Sequence, residues 1–259
     1  LLLLTDERKY LVEQLNKLKI YSDPQANIES LKDLLEETEQ KLISTAINET
    51  KVSLKNYKEW DDVMNVFEMI SNKEVPDPSL YLEWNVWRSL VMINYAKDIV
   101  GNFSIDLDGV PLGTALGNLP DIEAEYEGFK MIVEVTLSSG NKQYEMEGEP
   151  VARHFGKTQN ACDVPVYCLF VAPKISEGAL AHFFNLNRFK TKAYGGKTRI
   201  VPMSVTQFIY FISIAKEQGF KDPARLKAYL DRLIDLNHKP EDEIVWLDGI
   251  NTSIPSWAS

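Results

Sequence analysis

A few acidic side chains in this sequence are placed where chemistry, rather than solvation, would explain them. The run Lys130-Met131-Ile132-Val133-Glu134-Val135-Thr136-Leu137 is apolar on both faces, as a central strand is, and Glu134 interrupts it. An ionised carboxylate in such surroundings costs several kcal/mol unless a cation or hydrogen-bond donors compensate it. Pro120-Asp121 opens the preceding strand and supplies a second acid. With a turn at Glu127-Gly128, Asp121 and Glu134 reach the same end of a hairpin only if the strands pair with a stagger. Glu83 lies in the segment 80–93, a helix apolar nearly all round and therefore expected to be buried. Glu147 is expected near the start of the helix after the hairpin, because Pro150 is tolerated only in a first turn. His154 follows seven residues later on the same face, with Arg153 and Lys157 beside it.

Carboxylates that converge in a partly apolar place repel one another unless a hard cation neutralises them. Oxygen ligands with few histidines and no cysteine select Mg²⁺ over zinc. The matching chemistry is metal-assisted phosphodiester hydrolysis, in which the ion acidifies water and offsets charge on the phosphate. The competing reading is that Glu83 and Glu134 face solvent and that Asp121, Glu123 and Glu125 form an exposed polar stripe.

The elements that must position these residues follow from periodicity. Amphipathic helices are predicted over 5–19 and 25–46, broken at Asp23-Pro24, with further helices over 57–72 and 79–98. Short strands are predicted over 103–107, 122–126 and 130–137, then a helix over 144–160 and a buried strand over 164–172. A helix over 176–187, a strand over 198–203 and helices over 204–218 and 222–236 complete the pattern. Helices, a hairpin-bearing β group and then helix–strand–helix give an α/β fold, a mixed sheet covered by helices, with a helical N-terminal appendage. The boundary is placed between 1–75 and 76–259.

The 259 residues hold 28 basic and 38 acidic side chains, and the net charge of −10 by itself argues against a polyanion partner. The distribution reopens the question. Residues 1–150 carry 14 basic against 28 acidic, whereas 151–239 carry 14 basic against 6 acidic. Arg188, Lys190, Lys192, Lys197 and Arg199 fall within twelve residues that contain no acid, around Tyr194-Gly195-Gly196. They are either a solvated basic loop or contacts to a phosphate backbone. Two cysteines, Cys162 and Cys168, are too few for a disulfide scaffold and are read as reduced structural thiols. His182 and His238 have no acid or cysteine at ligand spacing, and Trp246 and Trp257 are expected to pack on the core. The longest apolar stretch, 208–215, is far below a membrane span, so a soluble cytoplasmic protein is expected. The first residue is Leu1 rather than Met, which is read as the mark of a piece of a longer chain.

Pro120-Asp121, twelve residues and then Glu134-Val135-Thr136, flanked by an acidic helix before and a helix and strand after, resembles the PD-(D/E)xK nuclease signature. More narrowly, Leu82-Glu83-Trp84, then Gly117-Asn118-Leu119-Pro120-Asp121-Ile122-Glu123, then Glu147-Gly148-Glu149-Pro150-Val151-Ala152-Arg153-His154-Phe155, is similar to the AlwI-like type IIS restriction endonucleases with their BstNBI-type nicking members. The likeness spans about residues 75–240. It implies a Mg²⁺-dependent cleavage domain that cuts one strand of duplex DNA a few bases beyond an asymmetric site, GAGTC in the BstNBI-type members. It also implies a recognition domain on the N-terminal side and a second nuclease subunit for the other strand. Glu83, Asp121, Glu134, Glu147 and His154 match the site residues of that group, with Asp121, Glu134, the Val135 carbonyl and Glu147 as metal ligands. The motif lysine is replaced by Thr136, which leaves water activation to the metal, Glu147, His154 or Lys157. That departure keeps a second reading open, a non-catalytic DNA- or protein-interaction module on a decayed nuclease fold. A third reading is a repair- or phage-type nuclease of the same superfamily.

Overall fold

The computed structural model describes residues 9, 10, 13, 24–56, 59–93, 95–106, 108–114, 118–220 and 222–258. The chain forms two units, Leu1–Glu49 with Ile105–Val110, and Thr50–Ser104 with Pro111–Ser259. The first unit holds most of the long helix α1, Pro24–Lys55, and a loop in which Asp106 accepts from the amides of Asp108 and Val110. The helix predicted over 5–19 lies largely outside the described residues. Helix α1 continues nine residues past the predicted 46, through Glu49, Lys51, Leu54 and Lys55, whose side chains favour helix.

The second unit contains every candidate site residue. Helices α2 (Trp60–Asn72) and α3 (Pro78–Ile93) come first, followed by strands β1 (Asp98–Gly101), β2 (Phe103–Ile105) and β3 (Pro111–Thr114). The hairpin β4 (Ile122–Tyr126) and β5 (Phe129–Val135) leads into helix α4 (Gly140–Asn160) and strand β6 (Val166–Ala172). Helix α5 (Glu177–Arg188), strand β7 (Ile200–Ser204) and helices α6 (Val205–Gln218), α7 (Pro223–Asn237) and α8 (Glu243–Ser253) complete it. Five strands pair in the order β1-β4-β5-β6-β7, antiparallel from β1 to β5 and parallel from β5 to β7. The parallel pairs arise because α4 and α5 are crossovers, each long enough to return the chain to the same end of the sheet. Strand β6 is buried at all seven positions, which explains its unbroken apolar sequence.

Several expectations change. The helix predicted to 98 ends at Ile93, and Asp98–Gly101 instead forms the edge strand β1. Its Ile99 carbonyl accepts from the Trp87 indole, so an aromatic on the helix completes the strand's hydrogen bonding. Strand β3 and helix α8 are additional, the latter capped by Asp242 and anchored by Trp246 donating to the Leu233 carbonyl. Trp257 donates to the Phe211 carbonyl, so both tryptophans pack on the core as expected. Helix α4 starts at Gly140, four residues early, and Pro150 lies in its interior. Glu147 is therefore in the middle of a 21-residue helix rather than at its start. A proline ring can sit inside a helix at the cost of one backbone bond when packing holds both flanks. Here Gly148, Val151 and Ala152 beside it are all buried.

Candidate active site

The hairpin decides the first relation. Gly128 adopts a left-handed φ of 77°, which glycine accepts freely, and the two-residue turn pairs Tyr126 with Phe129 and Ile122 with Val133. One more step along this unstaggered ladder sets Asp121 across from Glu134, on the same side of the sheet. The stagger expected from the sequence is unnecessary. The position of Asp121 is fixed by its Oδ2, which accepts from the Val135 amide at 2.7 Å.

Glu134 stands at the end of β5, 7% exposed, beside Phe170 of β6. His154 of α4 meets it, Nδ1 to Oε1 at 2.9 Å, while Nε2 is buried without a partner among the described residues. Glu147 lies two turns earlier on the same face of α4. Its Oε1 accepts from the Thr136 hydroxyl at 2.7 Å, and the Ser138 amide donates back to Thr136 at 3.0 Å. Thr136 thus holds a carboxylate in place. Glu83 comes from α3, whose first turn is capped by Asp77 accepting from the amides of Ser79 and Leu80. It is 8% exposed, with no hydrogen bond or ion pair to its carboxylate among the described residues. The reading in which Glu83 and Glu134 face solvent is overturned by these exposures.

The electrostatics follow from the burial. Desolvation, then the negative fields of Asp121, Asp77 and Glu147, pushes Glu83 up to about 8. Desolvation and the facing Glu134 push Asp121 up to about 8, against the pull of the Val135 amide. Glu134 is held well above the usual carboxylate range by desolvation, then by Glu147 and Glu83. His154 is depressed by desolvation and by Arg153, which favours the neutral ring. The four carboxylates therefore act on one another, and as purely oxygen donors they fit a hard divalent cation by chemistry. Among the described residues, however, no three His, Cys, Asp or Glu side chains already stand together as a ligand cage.

The basic residues are divided. The Arg188 guanidinium donates to the carbonyls of Asn237 and Pro240 and lies 4.2 Å from the Phe184 ring, holding the C-terminal helices. Arg199 donates to the Gln159 side chain. Lys190, Lys192 and Lys197 are exposed on the turn between them. Sequence reasoning gave no role to Asn118, which accepts from Arg153 at 3.2 Å through Oδ1 and from Lys157 at 3.2 Å through its carbonyl. The four-residue spacing of Arg153 and Lys157, which puts both on one helical face, was the available signal. His182 packs on the Tyr144 ring, and both cysteines are free.

The model of the AlwI restriction endonuclease family matches residues 3–211. The chain belongs to the AlwI restriction endonuclease family. It is accordingly a DNA nuclease by family, on a mixed α/β fold. Among solved structures it is similar to the small subunit (R.BspD6I2) of the heterodimeric restriction endonuclease R.BspD6I, with 27% identity and a TM-score of 0.62. That match covers 74% of this AlwI-family chain and 98% of the small subunit. A comparison with curated proteins finds no match. Among the described residues, no helix is long and apolar enough to cross a membrane.

Proposed function

We propose that this AlwI-family chain is a Mg²⁺-dependent cleavage domain that hydrolyses one strand of duplex DNA, leaving 5′-phosphate and 3′-hydroxyl ends. On this reading residues 76–259 are a PD-(D/E)xK-type domain behind the helical segment 1–75. The observation that carries it is the register that puts Asp121 across from Glu134, with Glu83 and Glu147 in the same electrostatic field. Asp121, Glu134, Glu147 and the Val135 carbonyl would hold the ion, which supplies Lewis acidity toward phosphate and lowers the pKa of water. Thr136 orients Glu147 through its hydroxyl. His154 orients Glu134 through Nδ1, and its buried Nε2 makes it a positioning group rather than one in contact with substrate. Lys157 is occupied with the Asn118 carbonyl, which favours the metal or Glu147 as the activator of water. Lys190, Lys192 and Lys197 serve as phosphate contacts, with Arg188 and Arg199 bracing the turn that carries them. Nicking, the role of a large subunit, a cytoplasmic location and a partner nuclease for the second strand belong to the same reading. The partner is supported by the heterodimer named for the similar small subunit.

The test is relaxation of supercoiled plasmid with Mg²⁺ by the chain and by Glu134→Gln. The native chain converts plasmid to the open circular form, and Glu134→Gln reduces this by at least about a hundredfold. Undiminished cutting by Glu134→Gln refutes the assignment, and no cutting with no Mg²⁺ binding favours a non-catalytic module.

A further inference from the structure

We infer that Arg153 and Lys157 are positioning residues for the acidic cluster, acting by gripping Asn118 and so holding the loop that ends in Asp121. Asn118 has a left-handed φ of 74°, a conformation that asparagine enters more readily than other non-glycine residues and that its hydrogen bonds here hold. The holding groups are the Arg153 Nη1, which donates to Asn118 Oδ1, and the Lys157 Nζ, which donates to the Asn118 carbonyl, each at 3.2 Å. All three residues are exposed, so the arrangement does not arise from core packing. From Asn118 the chain runs through Leu119 and the buried Pro120 to Asp121. The proline's fixed φ makes this a short, stiff connection. A cation pair one helical turn apart on α4 thereby ties the position of Asp121 to the helix that carries Glu147 and His154.

Arg153 also acts by charge, since it lowers the pKa of both Glu134 and His154. The two effects have opposite consequences for a cation at the cluster. Removing a nearby positive charge tightens binding of a divalent ion, whereas releasing the loop weakens it. This inference rests on the nuclease reading above, and binding of Mn²⁺ gives it a readout separate from cutting.

The experiment uses the full chain with Arg153→Gln, Lys157→Gln, Asn118→Gly and Asn118→Asp. Mn²⁺ binding is measured by calorimetry, and single-turnover nicking of duplex DNA is measured in parallel. Asn118→Gly relieves the backbone but removes the Oδ1 acceptor, whereas Asn118→Asp keeps an acceptor there. Arg153→Gln, Lys157→Gln and Asn118→Gly are expected to weaken Mn²⁺ binding about fivefold and to slow the cutting step about tenfold or more, with the KM for DNA little changed. Asn118→Asp is expected to stay within about twofold of the native chain on both readouts. Tighter Mn²⁺ binding in Arg153→Gln, or a raised KM with an unchanged cutting step, overturns the inference while leaving the nuclease reading intact. A native chain that neither binds Mn²⁺ nor cuts DNA overturns the nuclease reading and this inference with it.

Discussion

Raising the pH of the metal-free protein from 6.5 to 8 should destabilise it, and divalent metal should reverse the loss. Asp121 is held at about 8 in the folded chain, above its ordinary 3.8, so between those values the native state keeps a proton that the unfolded chain has released. Stability from such a group is whole below pH 4 and falls by about 1.4 kcal/mol for each pH unit until the native carboxyl ionises. Over 1.5 units this is about 2 kcal/mol for one carboxyl. Glu83 and Glu134 are raised for the same reasons and shift the same way, but their fields are shared, so the three do not add. His154 has the opposite sign, because its depressed pKa costs stability only as pH falls through 6.5, below this window.

For a chain of this size, 2 kcal/mol corresponds to a Tm change of roughly 4–8 °C. Thermal unfolding followed by circular dichroism in EDTA should show that drop between pH 6.5 and 8. Mg²⁺ at about a hundred times its Kd should return about 2.7 kcal/mol, and more at pH 8 than at 6.5, where protons compete for the same oxygens. Asp121→Asn should flatten the pH dependence. A Tm constant within 1 °C across the window would refute the reasoning, as would an equal Mg²⁺ effect at both pH values.

Three substitutions probe the frame around the cluster. Thr136→Val removes the donor to Glu147 and the acceptor for the Ser138 amide, and should cost about 1–2 kcal/mol in urea unfolding with little change in m. Arg88→Met should cost about 3 kcal/mol in the same assay. It strips the buried cation that pairs with Glu59 at 2.8 Å and lies 4.3 Å from the Trp84 ring on the helix carrying Glu83. Gly156→Ala should cost about 2 kcal/mol and raise amide exchange in residues 192–196. A Cβ at that position would stand 2.6 Å from the Tyr194 Cα and 2.9 Å from its carbonyl carbon, backbone atoms that no rotamer change can move away.

The fold was legible where one physical pattern dominated. The unbroken apolar run that became β6, the hairpin turn at Glu127-Gly128 and helices α5 and α6 follow from periodicity and turn chemistry alone. The misplacements arose where two patterns competed. No proline or glycine follows α3 before Gly101, yet β1 forms at Asp98–Gly101 because the edge of β4 needs a partner and Trp87 stands ready for the Ile99 carbonyl. Pro150 was read as a helix start, the local rule, and packing on both sides overrode it. The acids themselves were visible because each is polar in an apolar setting. Their pairing was not, because register depends on counting from the turn, and the count from Tyr126–Phe129 needs no stagger. Thr136 and Asn118 were invisible as holders of the site, since a threonine beside a motif and an asparagine in a loop carry no signal until their partners are known.

On the proposed PD-(D/E)xK reading, Thr136 occupies the position at which that signature carries a lysine. Thr136 brings a hydroxyl where a cation would otherwise lie among the acids, and that hydroxyl is spent on Glu147. His154, the nearest basic side chain to Glu134, is kept neutral by burial and by Arg153. Arg153 weakens the repulsion only from a distance, because its own hydrogen bonds go to Glu149 and Asn118, and Lys157 is turned to Asn118 as well. Among the described residues, then, no cation pairs directly with Glu83, Asp121, Glu134 or Glu147. Burial first and mutual repulsion second raise three of these carboxyls far above their ordinary range, and with no cation beside them held protons are the cluster's relief in the absence of metal. On the proposed metal-dependent reading, such a domain exchanges protons for a divalent ion on binding it. Its metal affinity must therefore climb steeply with pH through the range in which those carboxyls ionise, and calorimetry in buffers of different ionisation enthalpy would count the protons released.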